Sequence, residues 1–223
     1  MRKLFIFIFF LNSLQYLDCY AFSNGENCDS SFMKVEGNTI SDCRESAAIF
    51  SDDRIYGNCI GVTSWMATWA YREAECNKRV MNKTLDERLF SLKRSVLPKN
   101  KSYFISEMSL QASFLKGVKR YCYESYSKCQ GTMWIPPQAG CPSEFYEIRL
   151  TQGEMINRGR LQLPEVDKNL EKIKSQIPSE LFNYAYQLCN MPFDVWQEGK
   201  APPNCVDRVL SSLKMDPDLC LEY

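Results

Sequence analysis

The stretch VTSWMATWAYREAEC, Val62 to Cys76, decides the fold class. Its apolar residues Val62, Trp65, Met66, Trp69, Ala70 and Cys76 recur at i, i+3, i+4 and i+7, the period of a helix with one buried face. The same period extends outward in both directions. Thr63 offers a cap for this helix, and Thr39 offers one for a helix around Asp42 to Phe50. Thr84-Leu85-Asp86-Glu87 reads as a capping box opening a further helix through Leu89, Phe90, Leu92 and Val96, which Pro98 ends. Another helix runs through Met108, Ala112, Leu115, Val118, Cys122, Tyr126 and Cys129, and its Gly117 costs it about 1 kcal/mol relative to alanine. Val166, Leu170, Ile173 and Ile177 continue the period. Pro178 starts a helix with Leu181, Tyr184, Ala185 and Leu188, a first-turn position that proline tolerates. After a loop from Met191 to Asn204, a final helix covers about Val206 to Leu213.

The middle of the chain breaks this pattern. Gln130 to Pro142 (QGTMWIPPQAGCP) is rich in turn residues, and Pro136-Pro137 cannot lie in a helix interior. From Phe145 to Leu150 the apolar residues partly alternate, and Gly153 and Gly159 punctuate the chain from there to Leu163, so 143–163 reads as a small irregular or β insertion. The predicted fold is mainly α, a single disulfide-stapled globular domain over 22–223, with a possible subdomain boundary near 130–142.

Residues 1–21 read as a cleavable secretory signal. Arg2 and Lys3 precede the apolar run LFIFIFFL (Leu4 to Leu11), and Cys19-Tyr20-Ala21 places small residues at −3 and −1 of a cleavage site after Ala21. The run is shorter than the roughly 20 residues a membrane span needs. Export to a secreted or periplasmic location fixes an oxidising compartment. Ten cysteines remain after cleavage: Cys28, Cys43, Cys59, Cys76, Cys122, Cys129, Cys141, Cys189, Cys205 and Cys220. An even number in an exported chain reads as half-cystines of five bridges. Helix rise constrains the pairing. Cys122 and Cys129 stand about 10.5 Å apart along a continuous helix, beyond the roughly 7 Å that a disulfide allows. The same argument separates Cys59 from Cys76.

Composition excludes several functions. Removing Arg2, Lys3 and Asp18 from 27 basic and 27 acidic residues leaves 25 and 26, with no block of one sign. Nucleic acid therefore has no electrostatic footprint on this chain. The chain holds no histidine, which removes Ser-His-Asp and Cys-His catalysis and histidine-ligated metal. No C-x-x-C, GxGxxG, Walker or EF-hand sequence is present. The reading is of no metal, no cofactor and no enzymatic role resting on imidazole.

Three positive features remain. Asp52-Asp53-Arg54-Ile55-Tyr56-Gly57-Asn58-Cys59 leads into the Val62 helix, and a cysteine at a helix N-terminus has a lowered thiol pKa. This segment resembles the nucleophile segment of papain-type cysteine proteases, where a Gly-x-Cys turn opens the long central helix. The glutamine that family carries upstream is Asp53 here, and no histidine exists, so the resemblance implies a catalytically dead relative with Cys59 free or bridged. Second, glutamate chemistry survives the loss of histidine. Lysozyme-like glycan cleavage needs a buried carboxyl and a second carboxylate or water, and Glu45, Glu73 and Glu75 lie on helical segments. Third, Trp134 and Trp196 sit in proline-bearing loops, where tryptophan either plugs the core or anchors a ligand. Asn82-Lys83-Thr84 and Asn100-Lys101-Ser102 are glycosylation acceptors where the host supplies the machinery. The sequence thus points to a secreted, disulfide-stabilised binding protein without catalysis, whose partner is a protein or a small ligand. A papain-like relative and a glutamate-dependent glycosidase are the alternatives.

Overall fold

The computed structural model describes residues 33–56, 59, 63–94, 98–129 and 132–215. The signal at 1–21, Cys28 and Cys220 lie outside the described residues. Helices dominate: α1 (Ile40–Ala48), α2 (Asp53–Tyr56), α3 (Thr63–Arg94), α4 (Pro98–Tyr126), α5 (Ile135–Gly140), α6 (Pro142–Asn157), α7 (Leu170–Ile173), α8 (Ser179–Cys189) and α9 (Cys205–Ser212). Among the described residues the only β pairing is a single parallel bridge between Leu161 and Trp196. The mainly α, disulfide-containing fold is what the periodicity predicts.

Capping works at α1 and is overridden in α3. Thr39 caps α1: the Asp42 N–H donates to its Oγ1 at 3.1 Å, and the Thr39 N–H donates back to Asp42 Oδ2 at 2.9 Å. Thr84, by contrast, sits inside α3, which runs unbroken for 32 residues. Its hydroxyl donates to the Val80 carbonyl at 3.1 Å, the back-bond of a helix-interior threonine. A capping sequence is only an option, and here the buried residues on both sides of it keep the helix going. Val80 and Met81 precede Thr84, and Leu85 comes after it. Pro98 opens α4, where its fixed φ suits a first turn.

The expected β insertion at 143–163 is corrected. Pro142–Asn157 is a helix whose buried residues are Phe145, Tyr146, Arg149, Gln152, Gly153 and Ile156. Those spacings are helical, but three of the six carry polar or no side chains, so the apolar residues alone mimic alternation. The prolines Pro136 and Pro137 occupy the first turn of α5, where their missing N–H groups cost nothing. From Thr132 to Gly140 the chain therefore forms two short helical turns.

Two apolar clusters share α3. The larger gathers Leu110, Phe114, Val118 and Tyr121 of α4 with Leu181, Tyr184, Ala185 and Leu188 of α8, and adds residues of α6 and α9. The smaller holds Met33, Val35, Ile40, Phe50 and Tyr56 around Trp65. Trp65 donates its indole N–H to the Phe50 carbonyl at 3.0 Å and lies 5.0 Å from the Tyr56 ring. Cys43–Cys76 ties α1 to α3, Cys122–Cys141 ties α4 to the start of α6, and Cys189–Cys205 ties α8 to α9. Cys59 and Cys129 are disulfide-bonded as well, so neither excluded pairing, Cys122–Cys129 nor Cys59–Cys76, occurs.

Gly117 owes its place to packing. A Cβ there would stand 2.7 Å from Leu181 Cγ and 2.9 Å from the Leu181 backbone nitrogen, so α4 and α8 touch backbone to backbone. Gly117→Ala is expected to destabilise by about 1–3 kcal/mol through overpacking, more than cancelling its gain of about 1 kcal/mol in helix propensity. A urea midpoint at or above that of the unaltered protein would contradict this account.

A polar chain crosses the larger cluster. Glu107 and Arg149 are 0% exposed and form a salt bridge through Glu107 Oε1 and Arg149 Nη2. Arg149 Nε also donates to Gln111 Oε1 at 3.3 Å, and Gln111 Nε2 donates to Asn82 Oδ1 at 3.0 Å. The Arg149 guanidinium lies 5.9 Å from the centre of the Tyr184 ring. The Tyr184 hydroxyl donates to Gln152, which donates onward to Ser212 Oγ at 3.0 Å. Burial pushes the Tyr184 phenol up to about 12, so it stays a donor at any physiological pH. Asn82, one of the two glycosylation acceptors, is thus half-buried within a helix and engaged in this chain.

Candidate functional site

A cleft of about 860 Å³ opens between α3, the end of α4, α5 and the start of α6. One wall is a single face of α3. Trp69 and Glu73 are four residues apart and so point the same way, and Asn77 continues the row into the interior. The α5 wall comes close because Gly140 faces Ala70; a Cβ on that glycine would stand 3.4 Å from the Ala70 Cβ. The Cys122–Cys141 bridge fixes the same wall to α4. Tyr126 and Pro136 add flat surfaces, while Arg44 and Lys214 bring positive charge.

Glu73 is the one carboxylate of the three expected that is set into this cleft. It is half-buried, and Ser143 Oγ donates to its Oε1 at 3.4 Å. Ser143 in turn accepts a hydrogen bond from Asn77 Nδ2, and Asn77 is fully buried, so the serine is held in place. Burial raises the Glu73 pKa above the usual glutamate value; Arg44 and Ser143 pull it back, and Glu147 raises it further. Glu147 itself pairs with Arg44 at 2.9 Å. Glu45 is exposed and accepts from Ser41, and Glu75 pairs with Lys78 at 3.4 Å on the same helix. Neither lines the cleft.

No family model, curated protein or solved structure matches the chain. What the cleft can do rests on its own geometry.

The two loop tryptophans do not converge. Trp134 is half-buried with its ring 6.3 Å from that of Tyr126, behind the cleft-lining tyrosine and not itself part of the lining. Trp196 is 3% exposed, donates to the Met191 carbonyl at 3.3 Å and belongs to the large core. It packs in the core and borders a separate, smaller cleft with Glu165 and Arg208. Trp69, which its period assigns to the core with Trp65, is half-buried and lines the cleft. Cys59 is buried and bridged, so no thiol stands at the start of α3 for the papain-like comparison to use. Among the described residues no group of three or more acidic or cysteine side chains is placed to hold a metal ion. No described helix is long and apolar enough to cross a membrane.

The raised Glu73 pKa has a definite consequence for stability. The folded chain holds this proton more tightly than the unfolded chain does, so the ionised carboxylate costs stability above its raised pKa. That cost fades as the pH falls below the ordinary glutamate range, where both states are protonated. Glu73→Gln is expected to raise the melting temperature at neutral pH, with the gain vanishing in acid. Thermal melts across pH check this; an equal gap at all pH values would assign it to another cause.

Proposed function

We propose that this is an exported, disulfide-stabilised binding protein that takes a small ligand in the cleft between α3 and α6, without turning it over. The observation that carries the reading is the juxtaposition of Trp69 and Tyr126 with the held carboxyl of Glu73. Flat rings offer stacking faces, and a few fixed polar groups set orientation, the usual make-up of a small-molecule site. Eight bridged cysteines support an oxidising destination, in keeping with the signal-like residues 1–21.

One observation favours a second reading, glutamate-dependent glycan cleavage. A half-buried carboxyl with a raised pKa, near a second carboxylate on Glu147, has the properties of a general acid. Chitin-derived tetrasaccharide separates the two. Saturable change in tryptophan fluorescence without new reducing ends supports recognition. Release of reducing ends that Glu73→Gln abolishes supports cleavage. In the binding case Trp69→Ala is expected to cost about 2 kcal/mol, some thirtyfold in Kd. No response to the saccharide would remove sugars of this class from both readings.

A further inference from the structure

We infer that the cleft takes an organic ammonium, a protonated amine carried on an apolar body, which pairs with Glu73 and lies against the ring of Trp69. The inference rests on the cleft being a binding site and names the chemistry of what it binds.

Trp69 and Glu73 are i, i+4 neighbours on α3, both half-buried and both lining the cleft. Side chains so spaced on a helix have their Cβ atoms about 5–6 Å apart. A cation held by the carboxylate is therefore within reach of the indole face. Tryptophan is the strongest cation–π partner among the aromatic side chains, effective to about 6 Å from the ring centre. Tyr126 and Pro136 line the same cleft and suit the apolar body that carries the charge.

The hydrogen bonds around Glu73 leave acceptors over and no donor. Ser143 gives its one hydroxyl proton to Glu73 Oε1 across a long 3.4 Å. Asn77 Nδ2 donates to Ser143, and the Oδ1 of that same fully buried amide meets no donor. Among the described residues Glu73 has no salt-bridge partner. Arg44, whose charge bears on it, pairs instead with Glu147 at 2.9 Å. An ammonium carries only donors, so it brings to Glu73 both the N–H groups and the positive charge that the protein does not supply. A carboxylate or phosphate would bring the reverse. Glu144 and Lys214, exposed at the rim, add one charge of each sign and leave that preference in place.

Three ligands of nearly one shape test this at neutral pH: phenethylammonium, the neutral 2-phenylethanol and the anion 3-phenylpropionate. NMR titration of the unaltered protein is expected to show the ammonium binding at least roughly tenfold more tightly than the alcohol, the margin of a charge-assisted contact over a neutral one. The anion should bind most weakly. Glu73→Gln, which keeps the shape of the side chain, should remove most of the margin. Trp69→Leu, which keeps an apolar wall, should weaken the ammonium more than the alcohol. Alcohol and ammonium binding equally would overturn the inference while leaving the cleft a binding site. A margin that survives Glu73→Gln would overturn the pairing with Glu73. Binding of none of the three would also overturn the inference, and the saccharide titration would then judge the cleft on its own.

Discussion

Arg149→Met is expected to remove about 3–5 kcal/mol of stability, the cost of stripping the partner from a fully buried charge. Glu107 would be left with no counter-ion in an apolar cluster, and its Oε2 already meets no hydrogen-bond donor. Gln111 would lose the guanidinium that its side-chain oxygen accepts from. For a domain of this size each kcal/mol moves the melting temperature by about 2–4 °C, so a fall of roughly 10 °C is expected. A companion variant separates the charge from its contacts. Glu107→Leu with Arg149→Met replaces both charges by apolar side chains of similar bulk, and such exchanges are often neutral or stabilising. Chemical denaturation of the pair should therefore recover most of what the single variant loses. A double variant as unstable as Arg149→Met alone would mean that the ion pair's other contacts, through Gln111 and Asn82, matter more than its charge.

That buried chain also explains where the sequence misleads. Helices α3, α4 and α8 are legible because their buried positions are mostly apolar, Asn77 and Glu107 being the buried polar members of α3 and α4, so periodicity finds them. In α6 the buried stripe includes Arg149, Gln152 and Gly153, and an apolar-only reading registers strand-like alternation in a true helix. The helical period is there once polar residues are counted as members of the buried face. The division of one long helix into two at Thr84 has a different origin. Local capping chemistry is legible, but whether it is used depends on burial on both sides of it. The cleft is legible in part. Trp69 and Glu73 share a face at i, i+4, and that much is written in their spacing. That Gly140 and a disulfide bring Pro136 and Tyr126 against that face is tertiary information, with no trace in local pattern. The same holds for Trp134 and Trp196, two loop tryptophans of like surroundings, one half-buried against Tyr126 and the other in the core.

Removing Cys43–Cys76 as C43S/C76S, which leaves no stray thiol, is expected to cost about 3–4 kcal/mol, the chain-entropy value for a bridge spanning 33 residues. The location of the loss matters more than its size. Among the described residues, α1 and the chain just before it are joined to the rest, apart from the bridge, by the small cluster around Trp65 and by polar contacts such as Arg44 to Glu147 and Arg79 to the Val35 carbonyl, each at 2.9 Å. The Arg44–Glu147 pair is well exposed on both sides, and pairs of that kind contribute at most about 1 kcal/mol. Without the bridge, α1 and the Phe50–Tyr56–Trp65 group should open as a unit before the large core does. Hydrogen exchange would show this as lost protection over Ile40–Ala48, with α8 unchanged. The Glu73 side should respond too, because Arg44 travels with α1: losing its charge removes one of the influences that lower the Glu73 pKa. A rise in that pKa without the bridge would link the two clusters through the cleft. Uniform loss of protection across α1 and α8 would show instead that the chain unfolds as one cooperative body, with the small cluster inseparable from the large.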